Sequence, residues 1–330
     1  MKNQPSLPFN RYDFKDIAFE VDGYDRLIRA LKTRPDFPQT ASIGDVMAYL
    51  RANPIRVFVL GSFYRGFNLI NALSSQQTLD DDLAYANSMQ DVLMLQNFHQ
   101  GVVRPYVQLV GVATDKVMTD EEMAASGEKG FIGRDKRIWR YPEAMEKRML
   151  VSDQVRDLNA RGANITLYNG RVKTPEFNEF VKGLNPDIAF MGTFGQIVDQ
   201  ERIDLFPAGI FNFHPIGDMQ WTHPLDAGPQ PFEAMLARDA LDCRLAMHVT
   251  NTKQDDGPLM GLSNPVPIPE GSTPPELHRL SSPYVREPLT RHLEQVFYRM
   301  ALHLKNTPQA RRALENHQPG LYEVREPISP

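Results

Sequence analysis

Ile55-Arg56-Val57-Phe58-Val59-Leu60-Gly61-Ser62-Phe63-Tyr64-Arg65-Gly66-Phe67-Asn68-Leu69-Ile70-Asn71-Ala72-Leu73 is the stretch that decides the fold. Residues 55–60 form a compact run dominated by apolar side chains, as a strand buried on both faces requires. A turn bounded by Gly61 and Gly66 follows, and residues 67–73 then take up helical spacing. Strand, tight turn and helix in that order open a doubly wound α/β sheet. The turn departs from Gly-x-Gly-x-x-Gly, which argues against a dinucleotide site.

Further strands are expected at 107–112, 163–168, 187–192 and a very short one at 209–213, with helices at 81–99 and 175–184 between them. Residues 232–238 read as helix, 243–250 as a half-exposed alternating strand, and 266–268 as a last edge strand. Before residue 55 strand character is low, and 24–31 and 43–50 read as amphipathic helices. The expected organisation is an N-terminal helical extension (1–54), a mostly parallel α/β domain (55–268) and a C-terminal helical extension (269–330). Residues 118–160 form a polar, charge-dense insertion that ends in a helix toward Leu158. Residues 288–304 read as one long helix and a candidate homodimer surface.

Composition narrows the function classes. The chain has 330 residues with 36 Lys and Arg against 41 Asp and Glu, a net charge of −5. That balance argues against a broad nucleic-acid surface. No apolar run approaches the ~18 residues of a membrane span. The start of the chain lacks a signal-peptide pattern. The single cysteine, Cys243, fits a reducing compartment, so the expected location is the cytoplasm. The eight histidines are scattered without ligand-spaced pairs, so no metal is expected.

The chemistry-bearing segment is Asn212-Phe213-His214-Pro215. An amide and an imidazole two residues apart on a strand share one face, and proline restricts the residue before it. Downstream, the stretch from His248 through Asp255-Asp256-Gly257-Pro258 delivers a carboxylate on a loop that turns at Gly257-Pro258.

Asn-x-His-Pro followed by Asp-x-Gly-Pro resembles the folate-dependent formyltransferases. That family includes enzymes acting on glycinamide ribonucleotide, methionyl-tRNA and sugar-nucleotide amines, and formyltetrahydrofolate hydrolases. The resemblance covers about residues 55–268 and implies a Rossmann-like fold. It implies Asn212, His214 and Asp255 as catalytic residues, with Asp256 the rival carboxylate. Such groups suit the chemistry: amide and imidazolium donors stabilise an oxyanion, and a carboxylate holds the imidazole charged and helps move a proton. The segment Phe194-Gly195-Gln196-Ile197-Val198 resembles the family's pterin-lining stretch and implies 10-formyltetrahydrofolate as co-substrate. Arg65, Gly66, Phe67 and Asn68 resemble the loop that holds an anionic substrate. The stretch 216–228, with Trp221 and His223, departs from the family pattern where the amine substrate is expected.

The implied activity is formyl transfer from 10-formyltetrahydrofolate to the amine of a small anionic molecule, glycinamide ribonucleotide being the first acceptor to consider. A sugar-nucleotide amine, hydroxyornithine, water as acceptor, and a non-catalytic folate-binding protein remain as alternatives, in that order. Methionyl-tRNA is disfavoured, because residues 269–330 carry eight Lys and Arg against seven Asp and Glu and so lack the basic surface RNA requires.

Overall fold

In the computed structural model, residues 22–39, 42–74, 104–115, 150–217, 231–253, 255–305, 308, 309 and 312 are described. The chain folds around a mostly parallel sheet with helices on both faces. Its strands are β1 (Ile55–Gly61), β2 (Val107–Thr114), β3 (Thr166–Asn169), β4 (Ile188–Gly192), β5 (Ile210–Ile216), β6 (Asp242–Val249), β7 (Leu259–Leu262) and β8 (Val266–Pro267). The order is β3-β2-β1-β4-β5-β6-β7, with β8 on β6. Strands β1 to β5 run parallel, whereas β6 pairs antiparallel with β5, β7 and β8. The chain therefore winds outward from β1 in two directions, and a crevice is expected at the carboxyl edge between β1 and β4.

Alternation along the strands fills two cores. Val57, Val59, Ile188, Phe190, Phe211 and Phe213 enter the larger one. Phe58, Leu60, Ala189 and Ile210 enter the smaller one on the opposite face. The smaller core is closed by α5 (Pro175–Leu184) and the short α6 (Gln200–Ile203), through Phe177, Val181 and Ile203. The larger is closed by α1 (Asp22–Lys32), α2 (Ile43–Ala52), α3 (Phe63–Leu73), α4 (Val151–Ala160), α7 (Pro231–Ala237), α8 (Pro274–Ser281) and α9 (Arg286–Lys305). Helices from both ends of the chain meet there. Arg299 of α9 grips Asp25 of α1 with bonds of 3.0 and 2.8 Å, and the Tyr24 hydroxyl donates to the Met260 carbonyl at 2.8 Å.

Several local expectations change. The helix expected after Gly66 begins at Phe63. Phe63 itself takes φ 45°, so the chain turns within one residue of Ser62 and needs no loop. Gly66 is a packing glycine: a Cβ there would lie 2.6 Å from the Gly61 carbonyl carbon. The third strand runs over Thr166–Asn169 rather than 163–168. The fifth is seven residues long, not very short. It continues through Pro215 because β4 pairs only as far as Asn212, so the missing N–H faces no neighbour on that side, while β6 supports the other. β6 is buried from Leu245 to Val249 rather than half-exposed, since β5 and β7 flank it and the larger core takes Leu245, Met247 and Val249. β7 and α8 have no counterpart in the sequence reading. The helix expected at 81–99 and residues 118–149 of the insertion lie outside the described residues.

Candidate active site

Beyond Asn212 only β6 pairs with β5. The β5–β6 ribbon therefore rises past the carboxyl edge of the parallel strands, with Asn212 at the last pair with β4 and His214 two residues beyond it. They alternate with Phe211 and Phe213, which the larger core takes. The loop after β6 folds back to this place. Asp255 takes φ 52° and is 8% exposed. The Asn212 amide nitrogen donates to its Oδ1 at 3.0 Å, and His214 Nδ1 lies 3.4 Å from the same oxygen. Two residues of β5 thus converge on one carboxylate oxygen of the loop after β6. The rival Asp256 faces outward and pairs with Lys253 at 3.0 Å.

Gly257 makes this fold-back possible. A Cβ there would fall 1.6 Å from the Val249 carbonyl oxygen, closer than any non-bonded pair allows. The Val249 N–H in turn donates to the Pro258 carbonyl at 2.9 Å, which closes the loop at its base.

His248 was missed as a site residue. It pairs with Asn212 across β5 and β6, is 2% exposed, and its Nε2 lies 3.1 Å from the Asn212 amide nitrogen. Its Nδ1 lies 3.1 Å from the Val249 carbonyl, an acceptor only, so Nδ1 carries the proton and Nε2 accepts from Asn212. Both amide hydrogens of Asn212 thus have partners, one on His248 and one on Asp255. The amide is locked in orientation, and an oxyanion can claim one of those donors only by displacing a partner.

The residues expected to hold an anion separate. The Asn68 amide donates to the Tyr64 carbonyl of its own helix at 2.9 Å. Phe67 is buried, and Gly66 packs on Gly61. Arg65 is buried but reaches a neighbouring helix. Its Nη1 lies 3.4 Å from His278 Nδ1, on α8, against which the Tyr64 ring stacks at 5.8 Å and the Phe232 ring packs edge-on at 4.6 Å. Burial first, then the charges of Arg65 and His214, hold His278 well below the usual imidazole range. His278 is therefore neutral at neutral pH. Sequence reading missed it because its partners lie far away along the chain.

Of the residues expected to line a pterin, Phe194 packs against the smaller core, Val198 is buried in it, and Ile197 is 47% exposed. Gly195 and Gln196 bond to Asp115, at the end of β2. This turn follows β4, whose Met191 pairs with Asn212, so it borders the Asn212 site. Trp221 and His223 lie outside the described residues. Among the described residues no group of three or more His, Cys, Asp or Glu is placed to hold a metal, and no helix is long and apolar enough to cross a membrane.

No family model matches the chain. It is 34% identical over 79 residues to a methionyl-tRNA formyltransferase of Borrelia hermsii, covering 24% of each chain. It is 26% identical over 116 residues to that of Borreliella afzelii, covering 34% of this chain and 35% of the relative. The matches thus span about a quarter to a third of those relatives. Among solved structures, a phosphoribosylglycinamide formyltransferase of Anaplasma phagocytophilum aligns with 73% of this chain and 87% of its own, at 13% identity and TM-score 0.43. A formyltetrahydrofolate deformylase of Pseudomonas syringae aligns with 74% of this chain and 63% of its own, at 11% identity and TM-score 0.42. The sequence matches support a kinship with formyltransferases.

Proposed function

We propose, from that formyltransferase kinship, that the protein transfers a formyl group from 10-formyltetrahydrofolate to the amine of a small anionic molecule. The observation that carries the reading is the convergence of Asn212 and His214 on Asp255 Oδ1 at 3.0 and 3.4 Å. In the transfer, the acceptor nitrogen gains the formyl carbon and loses a proton, while the folate nitrogen gives up the carbon and takes a proton. His214 is the group suited to donate to the developing oxyanion and to carry that proton, and Asp255 supports its charged form. Asn212 holds Asp255 in place and offers a second donor as the substrate displaces one of its partners. For the folate, the turn 194–198 combines an exposed apolar side chain, Ile197, with the backbone of a turn at the carboxyl end of β4, the mixture a planar heteroaromatic ring requires.

The test is ligand linkage. Saturating 5-formyltetrahydrofolate is expected to raise the melting temperature by several degrees, since binding at a hundred times Kd contributes about 2.7 kcal/mol. No shift with a folded protein would refute the folate reading.

The acceptor's charge is assigned to Arg65. Arg65→Ala is expected to raise KM for the acceptor, with a smaller change in kcat, because a remote anchor acts alike in ground and transition states. Added salt should weaken acceptor binding mildly, as for one partly screened contact. Steady-state kinetics at two ionic strengths checks both. An unmoved KM would remove Arg65 from the substrate site.

A further inference from the structure

Thr193 sits at the end of β4 with φ 51°, a conformation that a β-branched residue adopts only when its surroundings enforce it. The enforcement comes from other strands. On one side, the Ser62 N–H at the end of β1 donates to the Thr193 carbonyl at 3.0 Å. On the other, the Gly195 N–H donates to Asp115 Oδ2 at 2.7 Å. The two holding residues are themselves tied. The Ser62 hydroxyl donates to Asp115 Oδ2 at 2.9 Å and accepts from the Asp115 N–H at 2.9 Å. Asp115 Oδ1 accepts from the Gln196 amide at 3.2 Å. That amide also reaches the Gly170 carbonyl at 2.9 Å, and its oxygen accepts from the Val172 N–H at 2.9 Å. Asp115, 8% exposed, thus links the turns that follow β1, β2 and β4, and Gln196 joins the turn after β3 to them.

The location gives this meaning. The edge between β1 and β4 is where nucleotide-binding sheets place a phosphate against a helix N-terminus. Here the N-cap of the 11-residue α3 is Ser62, and the chain's own Asp115 supplies the anion there. The crevice point is spent on holding a turn.

We propose that Asp115 is the positioning residue of the folate-binding turn, its carboxylate fixing Gly195 and Gln196 so that residues 193–198 keep the strained shape that receives the ring. The proposal rests on the folate reading above. It makes the affinity for folate, and not the chemistry at His214, the quantity that Asp115 controls.

Asp115→Ala and the milder Asp115→Asn separate the possibilities. The asparagine retains one acceptor for Ser62 and Gly195 but turns an N–H toward the Gln196 amide. In Asp115→Ala, Kd for 5-formyltetrahydrofolate is expected to rise at least about tenfold, the worth of one charge-assisted hydrogen bond. Asp115→Asn should fall between wild type and alanine. At saturating folate, kcat and the KM of the acceptor should remain near wild type, which a general loss of structure would not produce. Without any ligand, hydrogen exchange at the Gly195 amide should quicken about tenfold in Asp115→Ala. Wild-type folate affinity and wild-type Gly195 exchange in a folded Asp115→Ala would overturn the proposal. If the alanine variant fails to fold, the asparagine variant decides by the same two readings. If wild type itself binds no folate, the proposed function falls. The exchange rate alone then decides whether Asp115 holds the turn.

Discussion

Asp255→Ala is expected to lower turnover by on the order of a hundredfold or more, with His214→Ala and Asn212→Ala in the same range, since each removes an oxyanion or proton-transfer group. The reason lies in the single Asp255 oxygen that Asn212 and His214 both meet. Without the carboxylate, His214 loses the partner at 3.4 Å that favours its charged form, and the Asn212 amide loses the acceptor that fixes it. The neighbouring Asp256→Ala is the control. It removes a surface pair with Lys253, which is worth at most about 1 kcal/mol, so turnover should stay within about twofold of wild type. Steady-state kinetics of the four variants, with circular dichroism to establish folding, reads the result. Collapse in Asp256→Ala with Asp255→Ala intact would reverse the assignment.

Gly257→Ala is expected to be as damaging as losing Asp255, although residue 257 touches no substrate in this account. The added methyl would meet the Val249 carbonyl at 1.6 Å. That oxygen is covalently part of β6 and also pairs with His248 Nδ1, so relief has to come from the loop. Moving the loop carries Asp255 off Asn212 and His214 and breaks the Val249 to Pro258 bond. A stability loss of about 2–4 kcal/mol fits a backbone clash of this kind, and turnover should fall about a hundredfold even below the lowered melting temperature. Thermal unfolding and kinetics on one preparation check both. Wild-type activity in Gly257→Ala would mean that the loop closes differently.

Local patterning made much of this legible. The apolar runs of β1, β2 and β4 and the helical spacing of α5 are properties of contiguous residues, and they appear in the structure within a few positions. The Asn212 and His214 pair was visible because period-two geometry places them on one face whatever the pairing. Antiparallel pairing was not visible. His248 acquires its place opposite Asn212 only when β6 docks on β5, 36 residues apart. β7 is four residues including a glycine and reads as the tail of a turn until β6 pairs with it. His278 meets Arg65 across 213 residues, and nothing local marks it. Asp115 drew no notice in the sequence, because its role depends on other turns arriving at the same edge.

In the function proposed above, the Asn212, His214 and Asp255 cluster moves a formyl group between a folate and an amine. Its most direct test is isotope tracing with 10-formyltetrahydrofolate carrying carbon-13 in the formyl group, offered with a panel of small phosphorylated amines and followed by carbon NMR. The expected result is that wild type moves the label into a new formamide signal on one acceptor while His214→Ala leaves it on the folate. Label that stays on the folate with every acceptor, or that leaves only as formate at a rate indifferent to the amine, would contradict the account.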